Sequence, residues 1–156
     1  MDGAVNIDDI DREIIQHLQT DGRMPYSQLG QLVGLSDAAA RQRVNRLTGR
    51  GVIDIVAVTD PSMLGLDHQA LLGISITGDA RKVAVDVGVH DDVVYVVMTA
   101  GRYDLVVELV CADAETLIDV VNGIRTGDGV DTVEMITYLG ITKQTYNWGA
   151  GKGFGA

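Results

Sequence analysis

The chain of 156 residues is short of most features that announce a catalyst, a secreted protein or a membrane protein. It has one cysteine, Cys111, which excludes a disulfide within the chain and fits a reducing, cytoplasmic compartment. Cys111 lies in an apolar, strand-like run and reads as a buried, inert thiol. The three histidines, His17, His68 and His90, are scattered without partners at ligand spacing, so no metal site is expected. No apolar run approaches the roughly eighteen residues a membrane helix needs. The N-terminus begins Met-Asp-Gly and turns acidic, unlike the basic, apolar start of a secretory signal. Neither a nucleophile–histidine constellation nor a phosphate loop is present, and Asp91-Asp92 reads as a solvated turn. No enzyme and no cofactor are therefore expected. Basic charge is also lacking: the formal net charge of −10, taken as one sum, argues against nucleic acid as a partner.

What is present is 46% apolar residues, enough for a buried core in one domain or two small ones. The stretch 36–51, SDAAARQRVNRLTGRG, reads as one helix with two unlike faces. Ser36 is a good N-cap, Asp37 puts negative charge in the first turn, and Arg50 and Gly51 punctuate the end. Ala40, Val44 and Leu47 follow an i, i+4, i+7 spacing and form the inward stripe. Arg41, Gln42 and Asn45 point outward, flanked by Arg43, Arg46 and Arg50, with no acid between residues 38 and 53. Arginine's planar fork suits phosphate and the guanine edge, and Gln or Asn can pair bidentately with adenine. The bland counterpart is a solvated arginine-rich face.

The preceding residues favour the first reading. Residues 27–33, SQLGQLV, form a short helical segment with Leu29, Leu32 and Val33 inward, and Gly34-Leu35-Ser36 makes the turn. Helix, glycine-containing turn and second helix with a polar outer face is the helix-turn-helix arrangement, with Leu35 plugging the small core. Residues 6–20 supply a first amphipathic helix through Ile7, Ile10, Ile14 and Leu18, with Asp8, Asp9 and Asp11 in its first turn. Pro25 blocks its continuation.

Charge is unevenly spread. Residues 1–60 hold six Arg/Lys and nine Asp/Glu, residues 61–156 six and thirteen, whereas 26–51 hold four arginines against one aspartate. Attraction to phosphate is screened over about 8–10 Å in physiological salt, so the local patch outweighs distant acids. Acidic surroundings weaken non-specific binding, and several heads per assembly compensate by avidity.

Residues 52–58, VIDIVAV, are β-branched and read as a strand, and Asp60-Pro61 through Gly65 as a hinge. This gives a head over 1–60, with 52–65 as strand and hinge linker, and a second domain over 66–142. Within the latter, strands are expected over 69–77, 92–100, 103–112 and 130–142, and helices over 79–90 and 113–125. The helix faces are Val83, Ala84 and Val87 in one, and Leu117, Val120, Val121 and Ile124 in the other, which Asp113 caps. The order β-α-β-β-α-β predicts an α+β fold, a four-stranded antiparallel sheet with two helices on one face. Apolar residues on both sides of the strands imply that the other face is buried against another subunit. In the tail, 143–156, glycines at 149, 151, 153 and 155 have no helix after them to receive a phosphate. Trp148 packs either on a neighbouring subunit or on its own domain.

The chain resembles the Lrp/AsnC family of feast/famine transcription regulators over nearly its whole length. The resemblance rests on Ile10-Asp11-Arg12 before Ile14-Ile15, Asp21-Gly22-Arg23, Val33-Gly34-Leu35-Ser36 and Arg43-Val44-Asn45-Arg46-Leu47. It continues through Gly51-Val52-Ile53 and Thr99-Ala100-Gly101-Arg102-Tyr103-Asp104, the order and spacing together being specific. It implies an N-terminal helix-turn-helix (winged-helix-like) domain that binds double-stranded DNA and a C-terminal ferredoxin-like sensing domain. It also implies dimers formed through the sheet, assembly into octamers as tetramers of dimers, and a small effector, often an amino acid, held between subunits. On this reading Arg41, Gln42 and Asn45 read bases, Ser36, Ala38 and Ala39 lie at the entering end, and Arg43, Arg46 and Arg50 contact phosphate or brace the domain. Of these, Arg43 is the one expected to brace. The effector loop is Met98, Thr99, Ala100, Gly101, Arg102, Tyr103 and Asp104, with Glu134 nearby on the last strand. Backbone amides and Asp104 would orient a carboxylate and an amine respectively, and Arg102 either favours an acidic side chain or is solvated. The same loop also has a plain reading as a hairpin turn with Tyr103 packed in the core. The alternative function is a stand-alone amino-acid-sensing module acting on a protein partner, against which the arginine-lined helix speaks.

Overall fold

A computed structural model describes residues 6–144, and the expectations for the glycine-rich tail and Trp148 fall outside these described residues. The chain divides into two compact units, one ending at Val58 and one spanning Thr59–Thr142.

The first unit contains α1 (Asp9–Thr20), α2 (Tyr26–Leu32) and α3 (Asp37–Gly49). Helix α1 starts on a reciprocal acid cap: the Asp11 N–H donates to Asp8 Oδ1 at 2.8 Å and the Asp8 N–H donates to Asp11 Oδ2 at 3.2 Å. Pro25 occupies the N-cap position of α2, where a missing N–H costs nothing. Helix α2 then approaches the start of α3 so closely that a Cβ on Gly30 would lie 2.6 Å from the Leu35 carbonyl oxygen. Gly34 makes the turn with φ +69°, a conformation other residues adopt reluctantly. Ser36 caps α3 by accepting the Ala39 N–H at 3.2 Å. Ile14, Leu29, Val33, Val44 and Leu47 form the core, with Ile10, Leu18, Met24, Tyr26 and Leu35 packed around it.

Two expectations for this unit need correction. Leu32 is not inward but 51% exposed. Helix α2 buries Leu29 and Gly30, and Val33 is buried just beyond its end. At about 100° per residue, Leu32 points roughly a quarter turn away from their mean direction. Residues 52–58 form no strand. They have strand composition but no strand to pair with among the described residues, and Val56 and Val58 are exposed. The head therefore has no wing strand among the described residues. Beyond it, Asp60 caps a 3-10 turn over Pro61–Leu64 and Gly65 closes that turn with φ +75°.

The second unit runs β1 (His68–Ile76), α4 (Ala80–Val87), β2 (Val93–Met98), β3 (Leu105–Cys111), α5 (Ala114–Arg125) and β4 (Val130–Thr137). The expected β-α-β-β-α-β order is present with shorter elements, β4 in particular ending at Thr137 rather than at 142. The sheet order is β2-β3-β1-β4 and every pairing is antiparallel. Burial alternates strictly along β3, where Leu105, Val107, Leu109 and Cys111 are buried and the residues between them half-buried. With Ala70, Leu72 and Ile74 of β1 they meet Val83 and Val87 of α4 and Leu117, Val121 and Ile124 of α5. Both helices therefore cover one face. The other face presents Leu71 and Gly73 of β1, Val106, Glu108 and Val110 of β3, and Glu134 and Ile136 of β4, with no helix over it. There the Tyr138 hydroxyl donates to Glu108 Oε1 at 3.0 Å.

Candidate DNA interface and effector site

The outer side of α3 is a shallow concave patch lined by Asp37, Ala38, Arg41, Gln42 and Asn45. It exists because Ala40, Val44 and Leu47 face the core, leaving Arg41, Gln42 and Asn45 exposed on the opposite side. The side chains of Gln42 and Asn45 make no hydrogen bond among the described residues, so both amides are open to a partner. Ser36 spends its hydroxyl on the helix cap, and Ala38 and Ala39 leave the entering turn uncluttered.

The three flanking arginines divide. Arg43 Nη1 donates to Asp8 Oδ1 at 2.8 Å, to Asp8 Oδ2 at 2.6 Å and to Asp11 Oδ1 at 2.9 Å. Arg46 Nη2 donates to Asp11 Oδ2. The Asp11 side chain is fully buried, so two guanidiniums and the Asp8 N–H satisfy a carboxylate that would otherwise be costly to hide. The Arg43 bond, followed by the backbone bond from Asp11, holds the Asp8 carboxyl below its ordinary range, and the same carboxylates raise the Arg43 guanidinium. Arg43 braces α1 against α3, and Arg46 shares that task. Arg50, at the C-cap, is exposed and has no ion pair among the described residues. Sequence reading missed Asp8 and Asp11 as partners. Their first-turn position has a sufficient local explanation, while their arginines lie more than thirty residues away.

In the second unit, the segment from Met98 to Asp104 joins β2 to β3 and is tied across itself and to β1. Thr99 donates its amide to the Asp104 carbonyl at 2.9 Å and its hydroxyl to the Tyr103 carbonyl at 2.7 Å. The Asp104 amide donates to the Ile74 carbonyl at 2.9 Å, and Asp104 Oδ2 accepts the Ile76 N–H at 2.8 Å. One oxygen of the Asp104 carboxylate thus anchors the loop to β1. Tyr103 lies across Gly73 so closely that a Cβ there would meet the ring at 2.6 Å. Its hydroxyl donates to Glu134 Oε2, and this bond is the main reason the phenol titrates above its ordinary value. Arg102 Nη2 donates to the same carboxylate oxygen at 2.8 Å, and the guanidinium carbon lies 5.2 Å from the Tyr103 ring centroid. Arg102, Tyr103 and Glu134 therefore form one cluster on the uncovered side of the sheet, and the phenol packs there, not in the helix-covered core. Met98, Ala100 and Gly101 are exposed around it, with open space beside Gly101. Among the described residues no group of His, Cys, Asp and Glu is placed to hold a metal ion, and no helix is long and apolar enough to cross a membrane.

Comparison with known proteins matches both units. Residues 7–48 fit the AsnC-type helix-turn-helix domain and residues 69–148 the Lrp/AsnC ligand binding domain. The HTH-type transcriptional regulator FL11 of Pyrococcus furiosus is 31% identical over 141 residues, covering 89% of this chain and 93% of that protein. The regulatory protein AsnC of Escherichia coli is 26% identical over 137 residues, covering 85% and 90%. Its solved structure superposes with a TM-score of 0.79 at 25% identity, covering 91% of this chain and 99% of that one. A Neisseria meningitidis transcriptional regulator solved in complex with L-Met gives 0.80 at 25% identity, covering 91% and 96%. With both domains matched in order along the chain, this protein belongs to the Lrp/AsnC family: it is a DNA-binding transcriptional regulator, not an enzyme, with a helix-turn-helix head followed by a ligand-binding domain.

Proposed function

We propose that the protein reads a specific operator through the outer face of α3 and that a small effector, an amino acid or related metabolite, modulates this binding in the cytoplasm. Arg41, Gln42 and Asn45 contact base edges, with Ser36, Ala38 and Ala39 at the groove entrance and Arg50 on phosphate. Arg43 and Arg46 brace the head. The carrying observation is the concave patch on α3, where two unengaged amides sit beside an exposed arginine. Functional boundaries follow the sequence: a head over 1–60, a sensing and oligomerising domain over 66–142 and a tail over 143–156.

The effector is held by the loop from Met98 to Asp104 with Glu134, at an interface between subunits. The L-Met bound by the Neisseria regulator supports an amino acid as the ligand class. Arg102 and Glu134 pair with one another here, so an effector with its own charged groups exchanges partners with them. Dimers form through the uncovered sheet face, whose Leu71, Val106, Val110 and Ile136 lack a covering layer, and they assemble further to octamers. A dimer presents two α3 helices to major grooves about 34 Å apart.

The test is a thermal-shift screen of the full chain against the twenty amino acids, followed by gel shifts with the compound that scores. A true effector raises the melting temperature progressively with concentration and changes DNA affinity by about 5- to 150-fold. A compound that stabilises the protein but leaves DNA binding untouched contradicts the modulation.

A further inference from the structure

Arg41 differs from its neighbours on the outer face of α3 in being held from two sides. Its guanidinium carbon lies over the Tyr26 ring, 5.3 Å from the centroid, and its Nη2 lies 3.8 Å from Asp37 Oδ2. Tyr26 opens α2 and Asp37 opens α3, so residues from two helices converge on one side chain. Tyr26 is itself half-buried against the core of the head, which makes its ring a fixed platform. Gln42 and Asn45 have no such anchor among the described residues.

An arginine of this kind can meet either a phosphate or a base edge, and its surroundings separate the two. Asp37 faces the same patch and repels a phosphate there, whereas a guanine edge offers two acceptors without net charge. The ring face attracts the cation and restricts its rotamers before DNA arrives, so less freedom is lost on docking. We infer that Tyr26 is a positioning residue for sequence recognition: it holds Arg41 toward a guanine O6/N7 edge in the major groove, so the operator half-site carries a G·C pair opposite Arg41. This rests on the base-reading role proposed above for Arg41.

The experiment enriches a randomised duplex library on the full-chain protein and compares base preference position by position for wild type, Arg41→Ala, Tyr26→Leu and Tyr26→Phe. Arg41→Ala should abolish a guanine preference at one position per half-site. Tyr26→Leu, which keeps apolar bulk but removes the ring, should lower discrimination at that same position by about two- to five-fold. Tyr26→Phe, which keeps the ring, should retain it. Tyr26→Met substitutes for the leucine variant if circular dichroism shows that Tyr26→Leu does not fold. Loss of affinity spread evenly over all positions, or unchanged guanine discrimination in Tyr26→Leu while Arg41→Ala removes it, overturns the positioning role alone. Unchanged preference in Arg41→Ala overturns the base-reading role on which it stands.

Discussion

Asp11 carries more of the head than its place in the sequence suggests. It is a fully buried carboxylate accepting from Arg43, from Arg46 and from a backbone amide. Removing it takes away the acceptor shared by two guanidiniums and by the α1 cap, while the arginines left behind reach water. Asp11→Ala should therefore destabilise the head by about 1–3 kcal/mol in urea unfolding, and Arg43→Ala should cost stability before it costs operator affinity. A second expectation concerns Tyr138. Burial, then its bond to Glu108, pushes the phenol up to about 12. An unfolded tyrosine ionises at about pH 10, so this stabilisation is complete below that pH and is lost as pH rises through about 12. Tyr138→Phe should flatten the alkaline limb of a stability profile over that window, and an unchanged limb would remove Tyr138 as its source. At this scale the sequence was legible where a side chain answers to its own helix: Ser36 caps α3, and Ala40, Val44 and Leu47 are buried. It was not legible where partners are distant in the chain. The window 26–51 counts four arginines against one acid, yet Asp8 and Asp11 return in space to neutralise two of them.

Elements were legible in kind and order because each carries its own period, 3.6 in the helices and two in β1 and β3. Their ends were less so. Strand β4 stops where its pairing with β1 stops, at Thr137 opposite Ala70, although apolar residues run on to Ile141. Residues 52–58 have the composition of a strand and none of the pairing, because β propensity describes fit to a sheet and does not supply the neighbour. Helix α2 is short enough that one residue decides its packing. Gly30→Ala would press a methyl against backbone atoms of Leu35 and Ser36, which cannot move aside cheaply. The expected cost is about 1–3 kcal/mol with loss of operator binding, because α2 and α3 would separate. Full operator affinity in Gly30→Ala would show that this close approach does not set the recognition helix.

For the whole molecule, a chain of net charge −10 that binds DNA keeps its attraction local. With two arginines committed internally, the proposed mode of binding uses a few direct contacts per head and the proposed joining of heads through the sheet. Leu71→Glu places charge in the middle of the uncovered face and should shift sedimentation from oligomer to monomer, with operator affinity falling accordingly. Retention of the oligomer would locate the subunit interface elsewhere. The most direct test of the central claim, that the polar side of α3 reads sequence in the major groove, is guanine-N7 methylation interference on a duplex selected by the protein. Two groups of interfering guanines about one helical turn apart, with one guanine per group losing its effect in Arg41→Ala, are the predicted result. Binding indifferent to N7 methylation at every position would contradict it.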